Sequence, residues 1–269
     1  MRLAEKVMPF YFGSPDKLLF GCYHEPTSER RRNCAVVVCQ PVGHEYINSH
    51  RALRQLAARL CDAGFPVLRF DYYGCGDSSG NREDGTILQW LEDVSTAISE
   101  VRSRKAVVQV CLLGLRLGGT LAMIAAAERA DLGSMVLWDP VVSGKGYLDG
   151  LLRLHKEMLR FRPKPSTAQE PQGHLDVLGF PLSRLLRAEL EKIELPPIMG
   201  SPAKNVLVIQ SGQTASEANL EEHLCQTKAR LEYQRFDAPQ IWRPTSDGSL
   251  LVPTQILHTI VSWAQRVYP

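Results

Sequence analysis

One stretch restricts the fold of this chain more than any other: Val107-Val108-Gln109-Val110-Cys111-Leu112-Leu113-Gly114-Leu115-Arg116-Leu117-Gly118-Gly119. A continuous β-branched and apolar run reads as a strand buried on both faces, the kind found in parallel sheets covered by helices. It ends in Gly-x-Arg-x-Gly, and residues Thr120 to Arg129 continue as a helix. Strand, tight turn and helix with flanking glycines is the layout of a nucleophile elbow, whose turn residue projects from a strained backbone. That residue is normally Ser, Cys or Asp. Here it is Arg116, a permanent cation that cannot attack a carbonyl. The layout is catalytic and its nucleophile is missing.

The rest of the chain alternates in the same style. Residues 8–13 and 18–26 read as two strands around the turn Ser14-Pro15-Asp16. Cys34 to Cys39 is an uninterrupted apolar strand, and Ser49 to Cys61 carries apolar residues at 52, 53, 56, 57 and 60, the spacing of an amphipathic helix. Pro66 to Phe70, Ser134 to Trp138 and Asn205 to Ile209 read as further strands, Thr86 to Val101 and Pro253 to Val267 as helices. Such alternation predicts an α/β fold with a mostly parallel sheet flanked by helices. Between Val141 and Gly200 the pattern changes: two amphipathic helices, Tyr147 to Phe161 and Leu182 to Ile193, are separated by a polar, Pro-rich loop at 162–173. The expected organisation is a core formed by 1–140 and 201–269 with a helical cap inserted at 141–200.

Bulk properties exclude several function classes. A length of 269 residues suits one domain with an insertion, or two small ones. A net charge of +2 offers no electrostatic footprint for nucleic acid, and Arg30-Arg31-Arg32 reads as a solvated loop. The seven cysteines are odd in number and form no Cys-x-x-Cys pair, so Cys39 and Cys111 read as small buried hydrophobes in a reduced compartment. With no run of about 18 apolar residues and no apolar leader after Met1, the expectation is a cytoplasmic protein with no membrane span. Histidines at metal-site spacing, a phosphate loop and a dinucleotide fingerprint are all lacking, so no metal and no cofactor are expected.

Further motifs carry a family resemblance. Arg69-Phe70-Asp71-Tyr72-Tyr73-Gly74-Cys75-Gly76-Asp77-Ser78-Ser79-Gly80 is similar to the Phe-Asp-x-x-Gly-x-Gly-x-Ser segment of α/β-hydrolases of the serine aminopeptidase and lysophospholipase-like type. Gln40-Pro41-Val42-Gly43-His44-Glu45 lies where those proteins place the oxyanion-hole loop, and the Arg116 turn follows at the expected distance. The Gly-Leu-Arg-Leu-Gly run resembles bacterial exosortase-associated hydrolase-like proteins. The resemblance implies an α/β-hydrolase fold and a Ser, Asp, His triad in that chain order. All three positions depart from it. Arg116 replaces the nucleophile; Gln210-Ser211-Gly212-Gln213-Thr214 offers no carboxylate; and the loop Asp237 to Gly248 holds no His. His258 falls inside the last helix.

Two functions are therefore carried forward. The first is a hydrolase-fold protein with a degenerate triad that binds a small anionic or acyl ligand, or a partner, through Arg116, Leu117, Val42, Gly43 and His44. Within it, Arg116 holds either a ligand anion or an internal carboxylate from Asp71, Asp139 or Glu45. The second is an unconventional ester, thioester or amide hydrolase using His44, Glu45, Asp71 or Asp139. Cys75 and Asp77 are read as turn residues, and the sequence leaves the oligomeric state open.

Overall fold

The computed structural model describes residues 6–26, 31–104, 107–127, 129, 131–160, 174–194, 203–212, 229–245 and 247–269. The N-terminal hairpin forms where the Ser14-Pro15-Asp16 turn requires it, as β1 (Lys6–Ser14) and β2 (Lys17–Glu25). Six further strands join them: β3 (Cys34–Cys39), β4 (Val67–Phe70), β5 (Gln109–Leu115), β6 (Ser134–Trp138), β9 (Asn205–Ser211) and β10 (Arg230–Phe236). In the eight-stranded sheet the order is β1-β2-β4-β3-β5-β6-β9-β10. Strand β2 runs antiparallel to both β1 and β4, and the remaining pairings are parallel. This is the α/β-hydrolase fold.

Residues on alternate sides of each strand build two cores. Ala35, Val37 and Cys39 pack with Val94, Ile98 and Leu121, so α2 (Ile87–Ser103) and α3 (Leu117–Ala127) cover one face. Val36 and Val38 pack with Leu53, Leu56, Ile256 and Trp263, so α1 (His44–Asp62) and α6 (Thr254–Val267) cover the other. Cys39 and Cys111 are fully enclosed in these layers. The sheet order reverses at β3, with β4 on one side and β5 on the other, and open α/β sheets bind ligands beyond the carboxyl ends of strands at such a reversal. At that place Gly118 passes very close to the β3 exit: a Cβ built on it would lie 2.2 Å from the Cys39 carbonyl oxygen.

Between β6 and β9 the chain forms α4 (Gly144–Leu159), a two-stranded hairpin of β7 (His174–Val177) and β8 (Phe180–Ser183), and α5 (Arg184–Glu191). Ser143 caps α4 by accepting from Gly146 N–H, and Ser183 caps α5 by accepting from Leu186 N–H. Helix α4 starts three residues before the expected Tyr147, α5 is shorter than expected, and the hairpin was not anticipated. Leu178 and Gly179 both take positive φ, 57° and 86°, which is what a tight two-residue hairpin turn demands. Leu182, read as helical, therefore lies in β8. The expected loop at 162–173 lies outside the described residues.

The first helix is the other departure. It begins at His44, five residues before the expected start, so His44 and Glu45 form its first turn rather than a loop. Among the described residues, no helix is long and apolar enough to cross a membrane.

Candidate functional site

The site starts from the turn between β5 and α3. Arg116 sits there at φ 54°, a left-handed conformation uncommon for a non-glycine residue. Its N–H donates to the Trp138 carbonyl (3.0 Å), which ties the turn to the end of β6. The guanidinium then turns inward. Nε donates to Glu45 Oε1 at 3.2 Å and Nη1 to the Asp139 carbonyl at 3.1 Å. The Trp242 ring lies 4.7 Å below the guanidinium carbon and the Tyr147 ring 5.8 Å away, both within cation–π range. Glu45 is 3% exposed, and its second oxygen accepts from the Tyr147 hydroxyl at 3.2 Å. Burial pushes the Glu45 carboxyl up, and the Arg116 charge opposes that shift. Its place in the first turn of α1 also favours the anion. Of the three acidic partners weighed for Arg116, the structure selects Glu45.

In the segments where the family resemblance expects the acid and the His, the described residues make structural contacts. In the loop after β10 Ile241 and Trp242 are buried, and the Trp242 carbonyl accepts from Asn48 Nδ2. At the end of β9 the Gln210 side chain accepts from the Tyr233 hydroxyl, and Ser211 Oγ accepts from Trp138 Nε1. Gln213 and Thr214 lie outside the described residues. Asp139, at φ 44°, accepts from the Ser211 N–H at 2.8 Å, so its carboxylate fastens β6 to β9. His258 is exposed on α6, beside Ser262.

A cavity of about 680 Å³ opens next to this cluster, between the β6–β9 insertion and the segments that follow β3 and β4. Val42, Gly43, His44 and Asp71 line it, together with Gln40, Tyr46, Trp90, Tyr147, Leu151, Phe180, Leu182, Leu186 and Leu190. Arg116, Leu117, Glu45 and Asp139 do not. The cationic end expected at Arg116 is thus absent from the lining, because the guanidinium is turned onto Glu45, Tyr147 and Trp242.

Chemistry on the lining is muted. Burial, helped by the Arg116 charge, holds the His44 imidazole down at about 4, which leaves it neutral but a weak base at pH 7. Burial lifts the Cys75 thiol to about 12, far from a reactive thiolate. Asp71 accepts from the Asp77 N–H at 3.1 Å, and Ser78 Oγ donates to the Asp71 carbonyl while accepting from Phe20 N–H. The Gly74–Gly80 turn is therefore fastened by the Asp71 carboxylate holding the Asp77 backbone N–H, in keeping with the turn role read for Asp77. Gln40 was not singled out from the sequence. A lone amide directly after an all-apolar strand was the available signal, since a polar group there needs a partner.

Beneath the same turn, Asp93 accepts from Tyr73 N–H and Gln89 Nε2, and burial raises its carboxyl to about 6. The folded state then holds this proton more tightly than the unfolded chain, where the group titrates near 3.9. Its stabilising contribution is complete below about pH 4 and is lost as pH rises through about 6. Comparing the wild type with Asp93→Asn by urea unfolding from pH 4 to 7 should show the wild type losing roughly 2–3 kcal/mol relative to the variant. Parallel pH profiles would show that Asp93 does not titrate in this window.

The family description of serine aminopeptidase, S33 (Hydrolase_4) matches residues 33–178, from the start of the apolar β3 run through the Arg116 turn and into the insertion. The chain belongs to this family. Among curated proteins, it is 31% identical over 131 residues to the mitochondrial palmitoyl-protein thioesterase ABHD10 of Pongo abelii. That match spans 46% of this chain and 41% of the relative, so the chain accounts for well under half of that protein's length. Among solved structures, Est1E from Butyrivibrio proteoclasticus with ferulic acid bound superposes with a TM-score of 0.69 at 19% identity, covering 96% of this chain and 98% of that one. Mouse α/β-hydrolase domain-containing protein 10 gives 0.62 at 14%, covering 97% and 99%. At these identities the structural likeness speaks for the fold.

Proposed function

We propose that this member of the serine aminopeptidase family no longer hydrolyses and instead binds an apolar small molecule, an alkyl or acyl chain, in the cavity beside the Arg116 turn. The observation that carries the reading is the Arg116–Glu45 pair packed between Trp242 and Tyr147. It fills the volume in which a nucleophile, a general base and the reacting carbon would have to meet. The segment 141–200 acts as a cap over the core of 1–140 and 201–269, and its Tyr147, Leu151, Leu182, Leu186 and Leu190 supply much of the apolar wall. The thioesterase name of the ABHD10 relative supports an acyl-like ligand, and the resemblance of the Gly-Leu-Arg-Leu-Gly run is what suggests a place beside exosortase-associated hydrolase-like proteins.

The test is direct. A fluorophosphonate probe should label no serine, and p-nitrophenyl esters should turn over at the rate of buffer alone. Stoichiometric labelling, or turnover that disappears in His44→Ala, would instead assign the unconventional hydrolase. Changing Arg116→Ser alone should restore nothing, because Gln210 to Thr214 offer no carboxylate and the loop Asp237 to Gly248 offers no His.

A further inference from the structure

The polar groups of the cavity differ in kind from those of the cluster beside it. Gln40 leaves β3 directly into the lining and is 3% exposed. Its Nε2 donates to the Phe70 carbonyl at 2.6 Å and lies 3.4 Å from Asp71 Oδ1. These contacts fix the orientation of the amide, since a flip would set Oε1 against two acceptors. Held this way, Oε1 is a buried acceptor with no hydrogen-bond partner among the described residues. Such an atom stays costly until a donor reaches it.

Its surroundings carry negative charge. Asp71 lies beside it and also lines the cavity. His44 adds no positive charge at neutral pH. Two core guanidiniums stay out of the lining: Arg69 donates through Nε to His24, though its charge still acts on Asp71, and Arg116 pairs with Glu45. Arg82 does line the cavity, but it is exposed and is followed by Glu83 on the same rim.

We infer that the ligand presents a hydrogen-bond donor, an amine or a hydroxyl on an apolar body, to Gln40 Oε1 and the Asp71 carboxylate, and that the site discriminates against a carboxylate end. This rests on the reading that the cavity binds a small molecule, and it replaces the anion expected from Arg116 with the opposite polarity. Apolar walls supply affinity without regard to the end group, and the orphaned Gln40 acceptor beside a carboxylate sets the preference.

Calorimetric titration with octylamine, 1-octanol and octanoate at pH 7 tests the two readings separately. Octylamine and octanol should bind at least about ten-fold more tightly than octanoate, the ratio that one hydrogen bond to a buried acceptor provides. In Gln40→Met, which keeps length and loses the acceptor, that ratio should fall by about ten-fold while octanoate binding changes little. Equal binding of all three, or tightest binding of octanoate, overturns the donor inference and leaves the cavity reading intact. Binding of none overturns both. A preference that survives Gln40→Met removes Gln40 from the recognition. If that variant fails to fold, the wild-type ratio alone decides.

Discussion

Changing Arg116→Ala is expected to destabilise the protein by roughly 3–5 kcal/mol, the scale for leaving one member of a buried ion pair without its partner. Glu45 is 3% exposed, and among the described residues it would keep the Tyr147 hydroxyl and the field of Arg243 without an ion-pair partner, so the carboxylate would have to protonate or draw water into the core. The cationic face that Arg116 lays on Trp242 would vanish as well. Glu45→Ala should cost a comparable amount for the reciprocal reason. The double variant should be more stable than the sum of the two losses predicts, because it carries neither stranded charge. Urea unfolding of the four proteins supplies the coupling energy, and additivity would mean that the pair contributes nothing beyond its separate packing. Arg116→Gly should exceed Arg116→Ala in stability by about 1 kcal/mol, since glycine accepts φ 54° without the steric penalty of a Cβ.

Gly118→Ala should be at least as damaging, for a reason unrelated to charge. Its Cβ would lie 2.2 Å from the Cys39 carbonyl oxygen and 2.4 Å from that of Gln40, both backbone atoms held by β3 and the loop that follows. No side-chain rotamer can yield there, so α3 must move away from β3 or the strand must end early. Overpacking of a core typically costs about 1–3 kcal/mol, and a backbone clash belongs at or above the top of that range. Gly150 is the control. It lies in α4 with nothing within 4 Å of its would-be Cβ, so Gly150→Ala should stabilise by roughly 0.5–1 kcal/mol. Equal melting temperatures for Gly118→Ala and the wild type would show that the close approach is not built as described.

The sequence made the sheet legible because the signals were local. Cys34 to Cys39 and Ser134 to Trp138 are apolar runs short enough for strands, and both form with the expected bounds. Arg116 at the strand-to-helix turn was equally visible. What the residue does there was not, because Glu45, Tyr147 and Trp242 are separated from it by dozens of residues and meet it only through the sheet order. The early start of α1 escaped notice for a related reason: the residues from 44 to 48 show no clear apolar period, and the partner of Glu45 in that turn, Arg116, is remote in sequence. The hairpin between α4 and α5 was hidden by its turn, since Leu178 at positive φ gives no compositional hint. The cavity could not be read at all, being the space between elements that the sequence places far apart.

The Arg116 cluster also bears on how such a chain can change. Its four side chains come from the start of α1, the β5–α3 turn, α4 and the loop after β10, and each satisfies or shields another. Any single step back toward a serine at position 116 would first pass through a protein with a stranded buried carboxylate, several kcal/mol less stable on the scale given above. Native domains hold only about 5–15 kcal/mol in reserve, so that intermediate would persist at reduced abundance before any catalytic gain could appear. On the proposed reading the cluster would work as a ratchet: gaining hydrolysis would require several coordinated substitutions, whereas a change in ligand preference at the neighbouring cavity would require one.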